Sequence, residues 1–279
     1  MTTTIALMGA GGKMGCRIAD NLIHHPEYNV HYVEVSDAGK ARLAERGLSV
    51  SDEGNALAAA DVVILAVPDA LIGRICRDLT PKLNAGTLVI ALDPAAAYAG
   101  ELPPRDDISY FIAHPCHPPV FNDETDPLAQ NDWFGGVHAK HHIVCALHAG
   151  PEEAYAQGEA IARAMFAPVM RANRVTTEQM AILEPALVET LCATLLTALK
   201  EGMDEVVQMG VPQQAVEDML FGHIRTELAI IFGISGFPLS DGAIVAVEKA
   251  KARIFQPDWK QKVFAMENVR QSVDEIVNA

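Results

Sequence analysis

Seven residues near the start, Gly9-Ala10-Gly11-Gly12-Lys13-Met14-Gly15, constrain this chain more than any others. They follow an apolar run, Thr4–Met8, and precede Lys13–His24, whose apolar residues recur at helical spacing. A glycine turn between a buried strand and a helix lets the backbone bend tightly, and its helix start presents free N–H groups to a pyrophosphate. The pattern departs from G-x-G-x-x-G at Met14 and instead follows G-x-x-G-x-x-G through Gly9, Gly12 and Gly15.

The first 150 residues support that placement. His31–Val35, Val62–Val67, Thr87–Leu92, Tyr110–Ala113 and His142–Leu147 read as further strands, with a helix over Ala38–Arg46. Strand–helix alternation predicts an α/β fold with an N-terminal Rossmann doubly wound parallel sheet. Beyond about residue 175 the β signal fades. A helix capped by Thr176 or Thr177 is expected to reach Met209, with others over Gln213–Phe232, Asp241–Phe255 and Trp259–Val277. The predicted domains are 1–175, dinucleotide-binding, and 176–279, all-helical, for substrate binding and dimerisation.

Glu34, some 20 residues past the turn, stands where a carboxylate accepts ribose hydroxyls and repels a 2′-phosphate. Ser36 follows with no arginine beside it, and Asp37 is the substitute acceptor. NAD is favoured over NADP. Ala66-Val67-Pro68, ending a strand, is placed against the cofactor because ligands lie beyond the carboxyl ends of parallel strands.

Two features carry chemistry. Ala113-His114-Pro115-Cys116-His117-Pro118-Pro119 follows a strand and sits on the nicotinamide rim; its imidazoles suit a general base or a metal ligand. In the long helix, Glu184 and Glu189 are the only charges between Gln179 and Leu199. A helix apolar all round is expected to be buried, so each carboxylate needs a cation, donor or proton. Pro185 lacks an N–H and is expected to bend this helix beside Glu184. Cys116 has no activating pattern, and the histidines around the last strand read as core and surface residues.

Acidic residues outnumber basic ones 36 to 21, for a net charge of −15, which disfavours nucleic acid and anionic membranes as partners. Five scattered cysteines suit reduced thiols in a cytoplasmic protein. No basic leader precedes the first strand, and no run approaches the roughly 18 apolar residues of a membrane span.

AVP resembles the β-hydroxyacid dehydrogenase, prephenate dehydrogenase and ketol-acid reductoisomerase group. Over nearly its whole length the chain is similar to the 6-phosphogluconate and β-hydroxyacid dehydrogenase superfamily, although Leu183-Glu184-Pro185-Ala186-Leu187-Val188-Glu189 stands where that superfamily carries a lysine and an asparagine. GAGGKMG, AHPCHP, ILEPALVETLCATLL and GHIRTELAIIFG resemble the D-apionate oxidoisomerase family. That resemblance implies NAD-dependent oxidation of a branched sugar acid, D-apionate, to a 3-oxo-isoapionate type product. It also implies a divalent metal (Zn, Mn or Mg) held by His114 and Glu184. His117 or Glu189 would be the base. His223 and Arg225, in Gly222-His223-Ile224-Arg225, would contact an anionic substrate, in trans if the helical domains pair as a homodimer. A plain 3-hydroxyacid dehydrogenase and a non-catalytic NAD sensor are the competing readings.

Overall fold

Strand β1 (Thr3–Met8) sends alternate side chains to opposite faces of a sheet, as the two-residue strand period requires. Ile5 and Leu7 enter one core, Ala6 and Met8 the other. Helix α1 (Lys13–Leu22) buries Ile18 and Leu22 against the first. The computed structural model describes residues 2–278. Contacts within the chain divide it into residues 1–184 with 270–279, and residues 185–269.

In the first unit, β2 (Tyr28–Val33) is followed by α2 (Asp37–Glu45) and α3 (Glu53–Ala59). The central strands β3 (Val62–Leu65) and β4 (Leu88–Ala91) are fully buried, as expected of parallel strands covered on both faces. Between them α4 (Asp69–Leu79) packs Ile72, Cys76 and Leu79 into the second core. After α5 (Ala95–Tyr98) come β5 (Ser109–Pro115), α6 (Pro127–Gln130), β6 (His141–Ala149), α7 (Glu153–Met165) and β7 (Val169–Arg174). The strand order is β2-β1-β3-β4-β5-β6-β7. All pairs are parallel except β5 with β6. The Rossmann expectation therefore holds, with one antiparallel pair added. β7 was not foreseen, because VMRANR is polar and only partly buried.

The expected long helix is a composite. α8 (Thr177–Ala181) opens with a capping box, in which Thr176 accepts from the Gln179 N–H and Gln179 accepts from the Thr176 N–H. Residues Ile182–Ala193 then widen to the π-helical repeat, with Pro185 inside it and Thr190 donating to the Pro185 carbonyl at 2.7 Å. Proline has no N–H to give the carbonyl four residues earlier, so the break expected beside Glu184 takes this form. α9 (Thr194–Gln208) completes the run.

In the second unit, α10 (Gln213–Ile231), α11 (Asp241–Ile254) and α12 (Trp259–Phe264) follow, and α13 (Met266–Val277) carries the chain back to the first unit. The structural division thus falls at Glu184/Pro185 rather than at 175/176. Two expectations are corrected here. The run Thr177–Gln208 is long and apolar enough, by length and composition, to cross a membrane, because α8, the wide segment and α9 join end to end. Nor is it buried: α9 and α11 bury no residue, and α10 buries only Val216. Leu196 and Leu199 are exposed, so the apolar circumference finds little cover within the chain itself.

Candidate active site

The glycine turn lies against the end of β3. Gly9 has φ +70°, and a Cβ there would sit 2.4 Å from the Ala66 carbonyl oxygen. A Cβ at Gly15 would lie 2.1 Å from the Gly9 oxygen, so the helix must start flush against the turn. Ala10 donates to the Val33 carbonyl and Gly12 to that of Gly9. No side chain caps α1 and no acid occupies its first turn, which leaves that end open to an anion. Lys13 and Met14 begin this helix. Met14 packs on the core, and the Lys13 ammonium lies 3.4 Å from the centre of the Phe134 ring.

Beside the turn opens a cleft of about 770 Å³. Gly9, Gly12, Glu34, Ser36, Ala66, Val67 and Pro68 line it, whereas Ala10 is buried beneath it. It lies at the carboxyl ends of β1 and β3, where the strand order reverses.

Glu34 is clamped more tightly than its place in the sequence suggests. Its Oε1 accepts from the N–H groups of Val35 and Ser36 and from the Ser36 hydroxyl, at 2.8–2.9 Å. Its Oε2 accepts from the Gly11 N–H at 2.9 Å. Burial pushes this carboxyl up, but the bonds from Ser36, Gly11 and Val35 outweigh it and hold it below its ordinary value. Four donors already engage this carboxylate, three of them at Oε1, so Oε2 is the oxygen with the greater acceptor capacity left. Asp37, the substitute, is exposed at the start of α2. The expected absence of arginine is corrected. Arg42, one turn along α2, lines the cleft and donates from Nε to the Gly11 carbonyl at 2.6 Å.

On the same rim, β5 delivers His114. Its Nδ1 bonds the Leu92 carbonyl just past β4, at 2.8 Å. A carbonyl only accepts, so Nδ1 carries the proton and Nε2 is left as the acceptor. Burial pushes His114 below the ordinary imidazole value, which keeps it neutral. His117 is set the same way, with Nδ1 donating to the Phe134 carbonyl at 2.9 Å. The two imidazoles meet edge to face, 6.4 Å between centres. His117 has φ 60°, the only described non-glycine residue in the left-handed region. Such strain persists only where surroundings enforce it, and it concentrates at functional sites. Desolvation pushes the Cys116 thiol up, away from thiolate chemistry.

The loop carrying Phe134 is pinned to α1. Arg17 binds Asp132 at 2.8 Å and also reaches the Gly135 carbonyl. Burial raises the Asp132 carboxyl, but the N–H groups of His138, Ala139 and Val137, together with Arg17, hold it at about 2. None of these anchors was foreseen. Asp132 and Phe134 sit in a stretch without periodicity, and only contacts across the chain reveal their role.

Glu184 is half-buried, while Glu189 is exposed, against expectation. Both take part in interactions. His223 is exposed and bonds the Met219 carbonyl of its own helix at 2.8 Å. It borders an apolar hollow of about 600 Å³ between α9 and α10, while Arg225 is exposed nearby. Among the described residues no three His, Cys, Asp or Glu side chains gather as a metal-binding group. The His114 tautomer does fit a cation, since its free Nε2 lone pair is backed by a carbonyl on Nδ1. The chain offers a partial donor set.

Comparison with known proteins agrees with this geometry. Residues 122–277 match the family model of the phosphogluconate dehydrogenase (decarboxylating) C-terminal region, and residues 4–94 match that of the coenzyme F420-dependent NADP oxidoreductases. A crystal structure from Cupriavidus necator, described as a semialdehyde dehydrogenase NAD-binding protein in complex with calcium and NAD, superposes with a TM-score of 0.94. It is 49% identical, with 99% of this chain and 100% of that chain covered. Two proteins named D-apionate oxidoisomerase are similar throughout. The one from Cupriavidus necator is 50% identical, covering 99% of this chain and all of its own length. That from Rhizobium rhizogenes is 52% identical over 98% of this chain and 99% of its own. At such identity across whole lengths, the chain belongs to the D-apionate oxidoisomerase family.

Proposed function

We propose that this chain is an NAD-dependent oxidoreductase that oxidises D-apionate and couples the oxidation to a carbon-skeleton rearrangement, giving a 3-oxo-isoapionate type product. The observation that carries the reading is the pairing of a glycine-turn cleft at the carboxyl ends of β1 and β3 with two tautomer-fixed imidazoles at the carboxyl end of β5, on the same edge of the parallel sheet. The relatives' names supply the substrate.

NAD, when bound, supplies the hydride acceptor. The uncapped start of α1 would hold its pyrophosphate and Glu34 its adenosine ribose. His117 is the base. Its protonated Nδ1 leaves Nε2 to take the substrate hydroxyl's proton as hydride departs from the same carbon. His114 and Glu184 would hold a divalent cation, with substrate carboxylate and hydroxyl oxygens filling out the partial donor set. A divalent cation held there would supply Lewis acidity toward the oxygens of the substrate. The similar Cupriavidus necator structure is described as a complex with calcium and NAD, which supports including a divalent cation in this reading.

A homodimer is supported by the helical unit, which buries a single residue across α9, α10 and α11 and so leaves apolar surface for a second copy to cover. In such a dimer His223 and Arg225 would act on the neighbour's substrate. Five free cysteines support a reducing cytoplasm. The chain's surplus of acid disfavours nucleic acid.

The test is NADH formation from NAD with D-apionate and with other polyhydroxy acids, before and after chelation. Apionate-dependent NADH that is lost on chelation and restored by Mn, Zn or Mg supports the whole reading. Turnover indifferent to chelation removes the cation. NADH formed only from other acids removes the substrate.

A further inference from the structure

Two charged side chains bracket one residue of the glycine turn. Gly11 gives its N–H to Glu34 Oε2 and takes the Arg42 Nε–H at its carbonyl, 2.9 and 2.6 Å away. Both side chains line the cleft. Their spacing is enforced by glycine at two positions. A Cβ at Gly39 would fall 2.4 Å from Glu34 Cδ, and one at Gly11 would fall 2.3 Å from the Gly39 oxygen. The Ser36 hydroxyl accepts the Gly39 N–H at 3.1 Å, fixing the start of α2 that carries Arg42. Turn, carboxylate and helix start therefore interlock, and an acid and a base are both held on the same turn residue.

Arg42 spends its Nε–H on Gly11, and none of the described hydrogen bonds engages its terminal nitrogens. The other cations of the cleft are placed differently. Lys82 is paired with Glu53 at 3.0 Å, and Arg74 stands on α4 beyond β3. A guanidinium with two unused NH₂ groups matches a phosphate bidentately. A ribose that met Glu34 would carry its 2′ substituent into reach of Arg42, but the ionised carboxylate repels a phosphate there.

We propose that Arg42 is a latent 2′-phosphate-binding residue, and that preference for NAD over NADP depends on Glu34 overriding it. The proposal rests on the NAD reading above.

Equilibrium binding of NADH and NADPH tests it in the full-length protein, using the wild type, Glu34→Ala, Glu34→Ala with Arg42→Met, and Glu34→Ala with Arg74→Met. Wild type should prefer NADH. Glu34→Ala should tighten NADPH binding about 10- to 100-fold, as a charge-assisted pair is worth. Adding Arg42→Met should remove that gain, while adding Arg74→Met should leave it. Glu34→Gln, which drops the charge and keeps the shape, replaces Glu34→Ala if that variant fails to fold. NADPH binding as tight with Arg42→Met as without it, or a gain lost with Arg74→Met instead, overturns the assignment of Arg42. No gain on removing the Glu34 charge overturns it too. Wild-type protein that binds neither nucleotide overturns the NAD reading itself, a separate outcome.

Discussion

His114 and His117 are read correctly only when their carbonyl partners are known. Histidines three apart in a proline-rich loop are ambiguous, but Leu92 and Phe134 each take an Nδ1 proton and so turn both Nε2 atoms into acceptors. His117→Ala is expected to lower kcat about 10²- to 10⁴-fold, the usual worth of a positioned base, while NADH affinity stays within about twofold of wild type. Rapid-mix turnover and NADH titration on the same preparation check both halves. His114→Ala and Glu184→Gln are expected to abolish turnover likewise with NADH binding kept; near-normal activity in either variant removes the cation assignment. A second expectation concerns pH. Burial holds His141 below the ordinary imidazole value while its Nε2 donates to the Phe166 carbonyl at 2.6 Å. The unfolded chain therefore binds this proton more readily than the folded one. Stability should fall as pH drops through about 6.5 toward the lowered folded value, then level off. Thermal unfolding from about pH 7.5 down to about 5.5 should show that slope, and His141→Gln should reduce it, the remainder coming from His114 and His148, which burial also holds low.

At the level of elements, the strands declared themselves. VVIL and LVIA are unbroken apolar runs because both faces of the central sheet are covered, and GAGGKMG lay where strand meets helix. β7 did not, since its partner β6 supplies what its own sequence lacks. The wide turns of Ile182–Ala193 were legible only as a proline in a helix; composition says that the ladder breaks but not how it repairs itself. Burial was misread for a physical reason. An apolar helix demands cover, and sequence does not say whether the same chain provides it. Gly15→Ala tests the strand–turn–helix junction directly. With its Cβ 2.1 Å from the Gly9 oxygen, backbone must shift, costing about 1–3 kcal/mol by chemical denaturation and weakening NADH binding at least tenfold.

On the scale of the molecule, the first unit carries two packed cores and a formed cleft, whereas helices α9 to α11 expose Leu196, Leu199, Phe221, Ile231 and Val245. That asymmetry predicts a mass of two chains by sedimentation, and a shift to one chain or to aggregates on Leu196→Asp with Leu199→Asp. A wild-type monomer at micromolar concentration would contradict it. The cofactor turn and the paired imidazoles were legible as residue types, but the anchors Asp132, Phe134, Gly39 and Arg42 were not, because each acts through a contact distant in sequence.

In the proposed reaction, hydride loss to NAD and movement of a carbon–carbon bond belong to one turnover. Carbon-13 NMR of the product formed from labelled D-apionate, with NADH counted in parallel, tests it most directly. One NADH per product molecule and a rearranged skeleton are expected from the first turnovers onward. An oxidised product that keeps the apionate skeleton would leave a simple hydroxyacid dehydrogenase and rule out the coupled rearrangement.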